Sequence, residues 1–193
     1  NEQTVRVLTK LEQRYASFNG LNLSWETLEG VVKHNGAIQN RSEISPVIAE
    51  IDARLDLKLE YHPSAEAQLA NLADDIAYLS HDFDDALRAG LFAIDDISQL
   101  PQVGAALVQI KATHGALDLG RITHELVRRL ISVFVEDMLA ASNANLASLG
   151  ATHPDDIRNH ETPVICFSAN MAADLETLRG YLFDNMWRHY KVN

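Results

Sequence analysis

One cysteine, five prolines and nine glycines are few for 193 residues, so little in this chain can staple, break or loosen it. The lone Cys166 cannot form an internal disulfide, and its run Pro163-Val164-Ile165-Cys166-Phe167 reads as burial of a small apolar side chain. With no disulfide framework, the expected compartment is the reducing cytoplasm. The scarcity of Gly and Pro argues against long disordered linkers. No stretch reaches 18 uninterrupted apolar residues, which excludes a helical membrane span. The first six residues have no apolar centre and do not read as a secretory signal. Basic residues are outnumbered, 16 against 27 acids, for a net charge of −11. Such a surface repels a phosphate backbone and disfavours bulk nucleic-acid binding. A small anionic substrate stays open, because a metal ion and a few local Lys or Arg can invert the field inside a pocket.

What is present is apolar periodicity, 47% hydrophobic residues against 22% charged, enough for one sizeable core in a single domain over 1–193. The chain opens on Asn1 rather than Met, and Val5, Leu8, Leu11 and Tyr15 follow at helical spacing. We therefore expect a start in mid-domain, with a helix over 3–16 packing on a surface that the chain lacks, and a stop at Asn19-Gly20. Ser24 is the expected N-cap of a second helix, and Ser45-Pro46 opens a third. Residues 55–61 alternate apolar and polar as a connector or small strand. A long helix covers 65–88 and is stopped by Gly90. Further helices are expected near 103–114, over 120–142, and over 171–189 behind a Ser168 cap, with 162–168 extended. Helices dominate without a βαβ rhythm or a repeat, so the fold class is all-α, an irregular multi-helix bundle with short extended segments at most.

The helix over 65–88 carries the chemistry. Leu69, Leu72, Ile76, Leu79, Phe83 and Leu87 form one apolar face. Asp74, Tyr78, His81, Asp82 and Asp85 gather opposite, with Asp74, Tyr78 and Asp82 at i, i+4 and i+8 on one ridge. Two readings follow. The ridge is a solvated acidic face, or it is a carboxylate row that faces a cavity and offers a hard divalent cation its oxygen ligands. Crowded like charges cost a few tenths of a kcal/mol per pair, and a tyrosine among them offers a ligand both ring and hydroxyl.

The run Glu66-Ala67-Gln68, Ala73-Asp74-Asp75-Ile76-Ala77-Tyr78, His81-Asp82 and Asp85-Ala86 resembles the signature helix of bacterial dGTP triphosphohydrolase-like proteins, within the HD-domain phosphohydrolases. So does the upstream block from Gly20-Leu21-Asn22-Leu23-Ser24-Trp25-Glu26 to Lys33-His34-Asn35-Gly36. Arg128-Arg129-Leu130-Ile131, Val135-Glu136-Asp137, Leu182-Phe183 and Trp187-Arg188-His189-Tyr190 are weaker echoes, and together they cover nearly the whole chain in order. The resemblance implies an HD-domain-like helical fold and release of triphosphate from deoxynucleoside triphosphates, with a divalent metal, Mg or Mn, that polarises the α-phosphate and activates a water. It places Asp74 as a metal ligand and Tyr78 and Asp82 at the deoxyribose 3′-hydroxyl. Lys33 is placed toward the phosphates, although a cation also suits its helix C-terminus. The family's first His, its His-Asp pair and its catalytic His/Glu pair fall upstream of Asn1. The chain then holds one metal ligand of four and no catalytic residue, and is expected to be inactive alone. Family members commonly assemble as homo-oligomers.

Other assignments compete. His81-Asp82 with His34 and Asp137 imitates a complete HD-type ligand set. Arg121, His124, Arg128 and Arg129 share one helix, as ion pairs with the acidic surface or as basic contacts to a pocket. Trp25 and Trp187 read as packing residues, and Glu136 and Asp137 as caps or salt-bridge groups. For the whole chain the alternatives to an enzyme are a non-catalytic nucleotide-binding module and a plain helical interaction module.

Overall fold

The structure is a computed structural model that describes residues 2–190, so the expectation tied to Asn1 lies outside the described residues. Among those residues there are nine α-helices and no strand. They are α1 Glu2–Arg6, α2 Trp25–Val32, α3 Pro46–Leu55, α4 Ala65–Arg88, α5 Ile94–Ile97, α6 Val103–His114, α7 Leu119–Leu149, α8 Pro154–Arg158 and α9 Ala169–Leu182. The chain is all-α. Among the described residues no helix is long and apolar enough to cross a membrane. The helices group into two compact units. One holds α1, α2, α3, the start of α4 through Leu72, and the segment from Ala144 to Cys166 with α8. The other runs from Ala73 through Asn143 and resumes at Phe167 with α9.

The first unit departs from expectation at its start. The helix over 3–16 stops being α-helical after Arg6 and continues as one π-turn, Val7–Leu11, closed by Glu12 N–H donating to Val7 O at 3.0 Å. The chain then folds back, and Gly20 N–H reaches Glu12 O at 2.7 Å while Leu21 N–H reaches Leu8 O at 2.9 Å. These returning donors satisfy carbonyls that a longer helix would have used. Gly20 has φ +84°, and a Cβ there would stand 2.5 Å from Thr9 O, so only glycine fits. Of the expected stripe only Val5 is buried, and Leu11 and Tyr15 are exposed. Val5 packs with Leu28, Val32, Val47, Ile48, Ile51, Leu57 and Leu59 as the core of this unit. Ser24 and Ser45 cap α2 and α3 as expected, each hydroxyl accepting a backbone N–H three residues on. Residues 55–61 are a connector and not a strand. Asp56 and Lys58 take positive φ of 46° and 50°, which breaks an extended backbone.

In the second unit α4 buries Ile76, Leu79, Phe83 and Leu87, as its period required. Phe83 meets Phe92 edge-on at 6.1 Å, and Phe92 meets Tyr181 at 5.3 Å. Leu126, Leu130 and Phe134 of α7 and Leu175, Leu178 and Leu182 of α9 are also buried in this unit. Ser168 caps α9 as expected, accepting from Met171 N–H at 3.2 Å. That helix gives way at Phe183–Trp187 to a second π-turn, so the expected run to residue 189 is interrupted. Helix α7 extends to Leu149, past the expected end near 142. Residues 162–168 hold no strand.

Candidate functional site

Helix α4 forms because residues 65–88 contain no Pro or Gly and are rich in Ala and Leu, strong helix formers. It ends where Gly90 takes φ +60°. Its inward face is fixed by Ile76, Leu79 and Phe83, and this turns the opposite ridge outward. Asp74 and Tyr78 are exposed, Tyr78 to 66%, and Asp82 is half-buried. The structure therefore lines up carboxylate, phenol and carboxylate along one face, each step about 6 Å of helix rise. His81 and Asp85 are exposed beside them.

Asp82 has a partner on another element of the same unit. Its Oδ2 accepts a hydrogen bond from Trp187 Nε1 at 2.9 Å. Burial pushes the Asp82 carboxyl above the usual aspartate value, the Trp187 hydrogen bond pulls it back, and neighbouring Asp85 pushes it up again. Trp187, expected to be a packing residue, is instead 40% exposed and supplies a donor to the ridge. Next to the row, Asp75 accepts from Arg179 at 3.2 Å.

The apolar face expected of α4 is corrected at its first turns. Leu69 stands exposed, and Gln68 goes inside instead. Its amide donates to Pro63 O at 2.8 Å, and its Oε1 accepts from Val164 and Ile165 N–H at 2.9 and 3.0 Å. A glutamine that satisfies three backbone groups is worth more inside than a leucine that leaves them unpaired.

Lys33 lies in the first unit and is wholly buried. Its ammonium is 2.7 Å from Glu29 Oε1 and donates to the carbonyls of Lys58, Tyr61 and His62 at 3.1–3.2 Å. Glu29, also wholly buried, accepts both arms of the Arg158 guanidinium, Nε at 2.8 Å and a terminal nitrogen at 3.0 Å. Arg158 continues to Asp155 at 3.1 Å and stacks over the Trp25 ring, 5.0 Å from its centroid. Burial acting alone would push the Glu29 carboxyl up, but hydrogen bonds and charge from Arg158 and Lys33 together hold it below the usual glutamate value. Burial pushes the Lys33 ammonium down, and Glu29 opposes that shift. Four oxygens surround a group with three N–H bonds, so the donors expected to meet phosphate are already engaged. A cavity of about 560 Å³ beside this network is lined by Trp25, His34, Glu66 and Arg158, and Lys33 does not reach it. Sequence reasoning missed Glu29 and Arg158. Only the i, i+4 spacing of Glu29 and Lys33 carried a signal.

The basic residues of α7 are engaged both close in sequence and on other helices of the unit. Arg121 meets Asp118 at 3.3 Å, Arg128 meets Glu125 at 2.7 Å, and Arg129 reaches Gln109 Oε1 at 3.1 Å. His124 lies 3.1 Å from the Arg88 guanidinium. Asp137 is a cap partner, its two oxygens accepting from the N–H and hydroxyl of Ser168 at 2.8 and 2.7 Å. Cys166 is half-buried against the Asn145 amide at 3.1 Å. Among the described residues no three His, Cys, Asp or Glu side chains converge as a metal-holding group. Asp74 fits a divalent cation as one hard oxygen ligand and does not make a site by itself.

Fold and ridge define an all-α chain with a carboxylate–phenol–carboxylate row on the outward face of α4. No protein-family model matches the chain. Over its whole length it is 45% identical to the deoxyguanosinetriphosphate triphosphohydrolase-like protein of Parvibaculum lavamentivorans, covering 50% of that protein. It is 46% identical to the namesake of Caulobacter vibrioides and 44% identical to that of Azorhizobium caulinodans, covering 50% and 51% of them. Along its whole length the chain is thus related to deoxyguanosinetriphosphate triphosphohydrolase-like proteins. It spans about half the length of the curated relatives it matches.

Proposed function

We propose that the chain is part of a metal-dependent enzyme that hydrolyses deoxynucleoside triphosphates to deoxynucleoside and triphosphate, with an HD-type metal centre to which it contributes Asp74. The observation that carries this reading is the row on α4, where Asp74 sits two helical turns from an oriented Asp82 with Tyr78 between them. The names of the relatives support the triphosphohydrolase class. A divalent ion, Mg or Mn, would supply phosphate polarisation and an activated water when bound. The chain's own residues bind and orient. Asp82 accepts the 3′-hydroxyl, and the exposed Tyr78 ring packs on the deoxyribose and excludes a 2′-hydroxyl. Lys33 serves this reading indirectly, by anchoring the loop of residues 58–62. Cytoplasmic residence fits such a substrate. Exposed Leu11, Tyr15 and Phe18 support a surface that is covered in a homo-oligomer.

In the full-length protein, Asp74→Ala should abolish metal-dependent triphosphate release, measured by product chromatography with Mg or Mn. Normal release in that variant would remove Asp74 from the metal centre. Tyr78→Ala and Asp82→Ala should chiefly lower the ratio of kcat/KM for a deoxynucleotide over its ribonucleotide, by about tenfold or more for each lost contact. An unchanged ratio would leave the ridge a solvated face.

A further inference from the structure

Beside the ridge, one donor reaches Asp82 from outside α4. Trp187 ends the π-turn that follows α9, 105 residues along the chain from Asp82. Its ring is steadied edge-on against Phe183, with centroids 6.2 Å apart and planes at 85°. Phe183 in turn carries the Arg188 guanidinium at 5.2 Å. The π-turn itself is closed by Arg188 N–H donating to Phe183 O at 3.1 Å. Inserting one residue into the last turn of a helix rotates the side chains after it, and here that rotation brings the indole edge to α4. An indole N–H is a donor only, so it cannot trade roles with its partner as a hydroxyl can. A carboxylate with one oxygen held this way loses much of its rotational freedom, and its second oxygen is aimed.

We propose that Trp187 is a positioning residue, whose indole N–H holds Asp82 Oδ2 so that Oδ1 is presented to the 3′-hydroxyl of a deoxynucleotide. The proposal rests on the substrate reading of Asp82. Asp85 and His81, the charged neighbours on its own helix, act on the carboxylate through charge alone and give it no hydrogen bond that orients it. A donor on a separate element does. The half-burial of Asp82 strengthens the restraint, since a hydrogen bond to a carboxylate gains when water is partly excluded.

The test uses the full-length protein. Trp187→Phe keeps the ring and deletes the donor, and Asp82→Asn deletes the charge. Steady-state kinetics with a deoxynucleoside triphosphate and its ribonucleotide are expected to show KM for the deoxynucleotide raised about tenfold in Trp187→Phe, with kcat changed less and the deoxy preference reduced. The second readout is spectroscopic and needs no change at residue 187. In protein labelled with 5-fluorotryptophan, with the other tryptophans replaced by Phe one at a time for assignment, the Trp187 fluorine resonance should move as Asp82 titrates. In Asp82→Asn that movement should vanish. If Asp82→Asn discriminates sugars normally, the substrate reading of Asp82 falls and takes this role with it. If Asp82→Asn loses discrimination while Trp187→Phe keeps the wild-type KM and preference, the positioning role alone is overturned. A fluorine resonance blind to that titration overturns it too, even if Trp187→Phe fails to fold.

Discussion

Glu29 is the shared anion of two buried cations, Lys33 and Arg158. A buried ion pair is weak evidence of net stability, but removing one member leaves its partner charged and desolvated. Glu29→Gln keeps the shape and deletes the charge, and it should cost about 3–5 kcal/mol in urea unfolding. A midpoint within error of wild type would show that the cations find other partners. The sign of its pH dependence follows from the direction of the shift. The folded Glu29 carboxyl sits below its usual value, so its stabilisation is fully present above that value. It is lost as the pH falls through the lower, folded value. The variant should therefore show a shallower loss of stability than wild type on the acid side of the ordinary glutamate range. None of this network was legible residue by residue, because Arg158 lies 129 positions from Glu29. The family resemblance alone places Lys33 toward the phosphates, while its position at a helix C-terminus suits a cation in either role. Burial, which spacing does not report, gave it a structural partner instead.

Elements were more legible than contacts. Ser24, Ser45 and Ser168 announced three helix starts, since a hydroxyl before an apolar-periodic run satisfies a donor that the helix leaves open. The same logic reaches further at α9. Asp137 on α7 grips both the N–H and the hydroxyl of the Ser168 cap, so the start of α9 is tied to α7 and not only to itself. Asp137→Ala should cost about 1–3 kcal/mol, the loss of hydrogen bonds to a charged group. Hydrogen exchange should rise at the Ser168 and Met171 amides before it rises further along α9, and uniform exchange would show that the cap is not held this way. The two π-turns were illegible for a plain reason. An i+5 closure has no apolar period of its own, and each turn sits inside a pattern that reads as α-helix. What they do became visible only once the following segments were seen, one folding back through Gly20 and the other bringing Trp187 to α4.

At the scale of the molecule, an acidic chain of net charge −11 that bears an outward carboxylate row is poised to attract cations. If Asp74 belongs to a metal centre, manganese should raise the melting temperature of the full-length protein, since a ligand at a hundredfold excess over its Kd adds about 2.7 kcal/mol. That gain should be lost in Asp74→Ala and kept in Asp137→Ala. Equal protection of all three proteins would show cations gathering diffusely on an acidic surface. A non-catalytic nucleotide-binding module would instead gain stability from a deoxynucleoside triphosphate and release no triphosphate.

Composition and period by themselves determined the all-α class, the extent of α4 and the row Asp74, Tyr78 and Asp82 on one of its faces. Such features are local, set by propensity, capping and 3.6-residue periodicity, and local rules are written in consecutive residues. Tertiary structure alone decided that Gln68 would be inside and Leu69 outside, that Lys33 would be sealed by Glu29 and three carbonyls, and that Trp187 would hold Asp82. Each of those outcomes depends on a partner brought from elsewhere in the chain, and the free energy of burying a polar group is set by that partner's geometry.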